Sequence, residues 1–231
     1  MPAFTRFAVY YAPEPGPLAD FGAAWLGWDA AAGSARAHPD IAGLPRPAAE
    51  ITQTPRKYGF HGTIKPPFRL APGSTPETLA ADLSAFCTAH APVTLESLAL
   101  TRIGSFLALT PTGDCSALSH LAAETVATLD RHRAPPSDAE LSRRRGNGLT
   151  PSQEENLARW GYPYVMEEFR FHLTLTGRLS ADEARTVIAA LEPALAPLLP
   201  RPFEISSLCL FGEAPDGRFH LLSRHKLTGR A

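Results

Sequence analysis

A pattern of polar-faced strand, capped helix and paired strands occurs twice in this chain of 231 residues. The first copy opens with Lys57-Tyr58-Gly59-Phe60-His61-Gly62-Thr63-Ile64-Lys65. Ser74-Thr75-Pro76-Glu77 then has the S-x-x-E form of a capping box, with proline in the first turn, and predicts a helix to about His90. Strand-like runs follow from Val93 to Leu100 and from Ser105 to Thr110. The second copy opens with Phe169-Arg170-Phe171-His172-Leu173-Thr174-Leu175-Thr176, and Ser180-Ala181-Asp182-Glu183 predicts a helix to about Leu195. Strands are expected near Phe203 to Phe211 and Arg218 to Ser223. The internal offsets agree, His61 to Leu98 being 37 residues and His172 to Leu208 being 36. A duplication restricts architecture more than any single element. It predicts one α+β domain over 1–231, bilobed, with repeats at about 57–110 and 169–223 and a connecting helical segment at about 114–165. The lobes share one interior, and a ligand is expected in the cleft between them.

Outside the copies, Arg6 to Tyr11 reads as a strand stopped by Pro13, Pro15 and Pro17, and a helix is expected from Leu18 to about Trp28. Between the copies, helices are expected from about Ser116 to His132 and from Thr150 to about Trp160. The basic run Arg143-Arg144-Arg145 reads as a solvated connection, with guidance of an anionic substrate as the alternative. Hydrophobic residues at 44% and charged residues at 19% exclude global disorder. The net charge of −1 argues against binding nucleic acid or anionic membrane through the overall field, so any anion site must be local. No apolar run is long enough to span a membrane and the first residues lack a secretory layout, so a cytoplasmic, membrane-free protein is expected, as a monomer. Cys87, Cys115 and Cys209 lack metal or redox spacing and read as buried thiols.

The chemistry lies in His-x-Thr, which recurs at His61-Gly62-Thr63 and His172-Leu173-Thr174 in equivalent places of the repeat. Alternate side chains leave opposite faces of a strand. Phe169, Phe171, Leu173 and Leu175 therefore form an apolar face, and Arg170, His172, Thr174 and Thr176 a polar one. In the first copy Lys57, Gly59, His61, Thr63 and Lys65 share the polar side; parity places Tyr58 on the other. Two such faces across a cleft would surround one spot with two imidazoles, hydroxyls and cations, a composition suited to phosphate. Breaking a phosphodiester needs one group to deprotonate the nucleophile and another to protonate the leaving oxygen, and histidine fills either role near neutral pH. His61 and His172 are the candidate acid/base pair. Thr63, Thr174, Lys65 and Arg170 are the candidate phosphate ligands. These polar faces carry no Asp or Glu, so neither a metal nor any other cofactor is expected.

Paired His-x-Thr strands in duplicated lobes resemble the two-histidine (2H) phosphoesterase superfamily, which includes bacterial 2′-5′ RNA ligase-like proteins and cyclic phosphodiesterases. The longer words Arg56-Lys57-Tyr58-Gly59-Phe60-His61-Gly62-Thr63-Ile64-Lys65-Pro66-Pro67-Phe68 and Trp160-Gly161-Tyr162-Pro163-Tyr164 resemble one branch of it, bacterial proteins often encoded beside phosphonate-utilisation genes. The resemblance implies antiparallel sheets lining a central groove with helices outside, and metal-independent hydrolysis of a small cyclic phosphate. It also implies His61 and His172 as catalytic residues with Thr63 and Thr174 on the phosphate. Lys65 and Arg170 rest on parity alone. RNA-end processing, by 2′-5′ ligation or cyclic-end opening, is the first alternative and is disfavoured by the near-zero charge. A non-catalytic sensor of a phosphorylated metabolite is the second.

Overall fold

The computed structural model describes residues 4–146 and 148–230. The chain opens with β1 (Arg6–Tyr11) and α1 (Pro17–Leu26), a small ribbon of β2 (Trp28–Asp29) and β3 (Ser34–Ala35), and two single-turn helices, α2 (Ala48–Ile51) and α3 (Gln53–Arg56). The first copy supplies β4 (Gly62–Phe68), α4 (Pro76–Ala89), β5 (Val93–Leu95), β6 (Ser97–Ile103) and β7 (Phe106–Thr112). The connection holds α5 (Ser116–Thr128), α6 (Asp138–Arg145) and α7 (Pro151–Trp160). The second copy supplies β8 (Leu173–Thr174), α8 (Ala181–Leu195), β9 (Phe203–Ile205), β10 (Ser207–Glu213) and β11 (Phe219–Lys226). Strand, helix, short strand and long hairpin thus follow each motif in the same order.

The fold is α+β and antiparallel, with helices around the sheet. Seven strands run in the order β11-β10-β1-β4-β8-β7-β6, and β5 pairs separately with β9. The arrangement is two half-sheets meeting at a seam, because β4 and β8 are joined through the single pair Gly62 and Leu173. The copies exchange strands across it. The half-sheet containing β4 also holds the β10-β11 hairpin from the second copy, and β8 pairs with β7 from the first. Each motif strand is therefore braced by the other copy, which brings the two motifs side by side.

Both repeat helices start from capping boxes, but the first is set one residue later than the sequence suggests. Thr75 and Thr78 cap α4 reciprocally, with Pro76 as the first helical residue, whereas Ser180 and Glu183 cap α8 as expected. Leu79, Leu83, Phe86 and Cys87 of α4 and Ala184, Val187, Leu191 and Leu195 of α8 recur at helical spacing and bury one face of each helix against the sheet. β1 is buried on both sides. Phe7, Val9 and Tyr11 enter the main core, while Ala8, Tyr10 and Ala12 join Cys209, Phe211 and Phe219 in a smaller cluster on the opposite face. That second face carries the motifs. Of the three cysteines, Cys87 and Cys209 are buried as expected and Cys115 is half-buried. Among the described residues, no helix is long and apolar enough to cross a membrane.

Candidate active site

The Gly62–Leu173 pair fixes the geometry of the two motifs. In an antiparallel register, the residues flanking that pair face each other as His61 with Thr174 and Thr63 with His172, all four on the face opposite Gly62 and Leu173. The imidazoles are thus diagonal neighbours on adjacent strands, rather than residues on opposing walls. Close strand approach is possible because residue 62 is glycine: a Cβ there would lie 2.4 Å from the Phe171 ring. Phe171, Leu173 and Leu175 are buried beneath.

The two histidines share one backbone device. His61 Nδ1 is 2.9 Å from the Gly59 carbonyl and His172 Nδ1 is 2.8 Å from the Arg170 carbonyl, each two residues back. A carbonyl only accepts, so Nδ1 carries the proton and the neutral ring presents a lone pair at Nε2. For His61 that lone pair accepts from the Thr63 hydroxyl at 3.2 Å. The Gly59 carbonyl is positioned by a left-handed turn, φ 72°, a conformation glycine adopts without steric cost.

Their surroundings differ. His61 stacks on the buried Tyr10 ring with centroids 3.9 Å apart and planes 27° apart. Burial pulls its pKa down to about 4; the Gly59 carbonyl opposes this, and His172 adds a smaller push in the same direction as burial. His61 is therefore neutral at pH 7. His172 is half-buried, its ring 5.7 Å from Phe106, and its Nε2 has no protein partner among the described residues.

Two cavities meet at this spot. The larger, about 640 Å³, is lined by His61, Thr63 and Thr174 together with Tyr10, Tyr58, Tyr162, Arg6, Lys57, Arg143, Arg144 and Glu140. The smaller, about 390 Å³, shares Tyr58, His61 and Thr174 and continues over Pro55, Phe106 and Gly177. His172 lines neither. The larger wall carries four cations against one carboxylate in a chain whose net charge is −1, so the positive field is local. Among the described residues, no group of three His, Cys, Asp or Glu side chains converges to hold a metal ion.

Two candidate ligands lie elsewhere. Lys65 is 2% exposed, and its ammonium donates to the Val126 carbonyl at 3.0 Å and lies 3.4 Å from Asp130, under the last turn of α5. Parity fails there because the β1–β4 register slips: Thr63 faces Tyr10 but Lys65 faces Val9, so β4 carries one extra residue and turns Lys65 toward the core. Burial pulls its pKa down to about 8. Arg170 contributes its carbonyl to His172, while its side chain is exposed and lines neither cavity.

Conversely, Tyr58 lines both cavities although parity placed it on the apolar side. It follows α3 and precedes the Gly59 turn, where strand alternation does not apply. Arg143 and Arg144 lie on a capped helix of the connection, α6, which buries no residue: Arg143 and Arg145 are exposed, as a solvated segment requires, and Arg144 is half-buried. Ser137 and Glu140 form the capping box of α6, a S-x-x-E signal present in the sequence.

Residues 63–220 match the family described as a protein of unknown function, DUF1045. The chain belongs to that family. It is 37% identical over 221 residues to a ribose 1,5-bisphosphate phosphokinase PhnN of Janthinobacterium sp. (strain Marseille), covering 93% of this chain and 49% of that protein. To the protein of the same name from Laribacter hongkongensis (strain HLHK9) it is 34% identical over 220 residues, covering 95% and 51%. The chain thus spans about half the length of the curated relatives it matches. Among solved structures, E. coli LigT complexed with 3′-AMP aligns over 98% of this chain and 99% of that one, at 15% identity and a TM-score of 0.44.

Proposed function

We propose that the chain is a metal-independent phosphodiesterase that hydrolyses a small cyclic phosphate, with His61 as general base and His172 as general acid. The diagonal placement of the two imidazoles, each held by Nδ1 with Nε2 left for chemistry, carries the reading. His61 is neutral at pH 7 and its Nε2 can take a proton from water as the water oxygen attacks phosphorus. The ring P–O bond breaks, and the departing oxygen takes the Nε2 proton of His172, which enters the reaction as the imidazolium, protonated at both ring nitrogens. One water is added and the two imidazoles exchange protonation states, which solvent then resets. When substrate binds, the Thr63 hydroxyl turns from His61 Nε2 to a non-bridging oxygen, freeing Nε2 for the water, and the Thr174 hydroxyl donates to another, which stabilises charge gathering on phosphorus.

The curated relatives are named for a kinase acting on a ribose bisphosphate. That name supports a ribose-based cyclic phosphate as substrate here, and the branch resemblance supports a role in phosphonate use. The test is a screen of the purified protein in excess EDTA against cyclic mononucleotides and ribose cyclic phosphates. A ring-opened monoester product is expected. A reaction that proceeds only on adding a divalent ion contradicts the mechanism.

A further inference from the structure

The larger cavity holds more free positive charge than one scissile phosphate uses. Arg6 is engaged by Glu213, with Nε–Oε2 at 2.5 Å and a second bond at 2.6 Å, and Glu140 is engaged by Arg69 at 3.0 Å. Lys57, Arg143 and Arg144 have no carboxylate partner among the described residues, whereas the adjacent Arg145 is bound to Glu154 on α7. Arg144 is held with its guanidinium carbon 4.4 Å from the centre of the Tyr162 ring, and its Nε is buried with no hydrogen-bond acceptor among the described residues. A buried cationic donor without an acceptor is a costly feature that an anionic ligand relieves. The cavity of about 640 Å³ has room for roughly twenty waters at about 30 Å³ each, far more than a single phosphate group fills.

We infer that Arg144, with Arg143 and Lys57, forms a second anion subsite, and that the substrate carries a phosphomonoester in addition to the phosphate being opened. The inference rests on the phosphodiesterase reading for the identity of the reaction, but the subsite is measurable by binding alone. Arginine suits the task because its planar fork matches two phosphate oxygens, and three unpaired cations match a dianion better than a monoanion.

The experiment titrates the full chain with adenosine 3′,5′-bisphosphate and with adenosine 3′-monophosphate. The bisphosphate is expected to bind about tenfold more tightly, and Arg144→Met is expected to abolish most of that difference. Because Arg144 packs on Tyr162, Arg143→Met is measured alongside, with thermal unfolding of both variants; it is expected to reduce the preference while the fold holds. Equal affinity for the two nucleotides, no binding of the bisphosphate, or a preference that survives both substitutions overturns the subsite. Turnover of cyclic phosphates is followed in parallel. Its absence removes the phosphodiesterase reading, whereas the bisphosphate preference stands or falls on the titration.

Discussion

The two motif strands start from the same word and end in different environments. Immediately before β4, His61 is stacked on Tyr10, bonded to Thr63 and depressed in pKa to about 4. Immediately before β8, a strand of two residues, His172 keeps the same Nδ1 bond to the carbonyl two residues back but leaves Nε2 unpartnered among the described residues. Local sequence sets the tautomer; tertiary surroundings set the proton affinity. The difference comes from β1, which lies against β4 and has no counterpart beside β8, where β7 pairs instead. An inserted strand thus places two like imidazoles in unlike surroundings, the difference on which the proposed division into base and acid rests.

The largest expected effect separates those roles. On a cyclic phosphate, His61→Ala and His172→Ala should each lower kcat by about 10²–10⁴-fold. On a 4-nitrophenyl phosphodiester, whose leaving group needs no proton, only His61→Ala should remain crippled. Equal losses on both substrates would break the assignment of acid and base.

Next is the seam itself. Gly62→Ala places a Cβ 2.4 Å from the Phe171 ring, so it should cost about 1–3 kcal/mol in urea unfolding, the usual range for overpacking. A neutral result would mean that the strands do not approach as closely as described.

A smaller and more specific effect concerns pH. With His61 as base, the acid limb of kcat/KM should fall near pH 4, and Tyr10→Leu, by opening the ring to water, should move it toward 6.5. Stability should follow the same group. Between about pH 6.5 and 4 the unfolded imidazole takes up a proton that the folded one refuses, so stability declines as pH is lowered across that window. His61→Gln should flatten that part of the curve, as read from denaturation midpoints at successive pH values.

The smallest expected effect on turnover is that of Lys65→Met. With its ammonium tied to Val126 and Asp130 beneath α5, Lys65 supports the helix and not the phosphate. The variant should keep kcat/KM within about threefold, while its unfolding midpoint shifts by the loss of a buried charged donor. A hundredfold loss of activity in a folded variant would place Lys65 back at the site.

What the sequence disclosed follows from how local each signal is. β1 begins and ends where the sequence reading placed it because prolines follow within a few residues, and α8 starts at its own capping box. His61, Thr63, His172 and Thr174 share a face because strand parity holds over three residues. It fails beyond them. The bulge before Lys65 depends on β1, a partner far away in the chain, and no pattern within β4 announces it. The second motif strand is shorter than its alternation suggests because the Leu107 amide bonds the Thr176 hydroxyl, a side chain standing in for the next rung. Tyr10 was legible only as a strand residue, since its stacking on His61 depends on the β1–β4 pairing. Arg143 and Arg144 carried a readable helix signal at Ser137 and Glu140, obscured by reading the triple arginine as a charge run.

The most direct test is a cycle of His61→Ala, His172→Ala and the double variant, assayed on a cyclic phosphate with EDTA present. Two groups that serve one displacement are not independent, so the double variant should be about as slow as either single one. Losses that multiply, or a single variant that retains the parental rate, would contradict a paired mechanism across the β4–β8 seam.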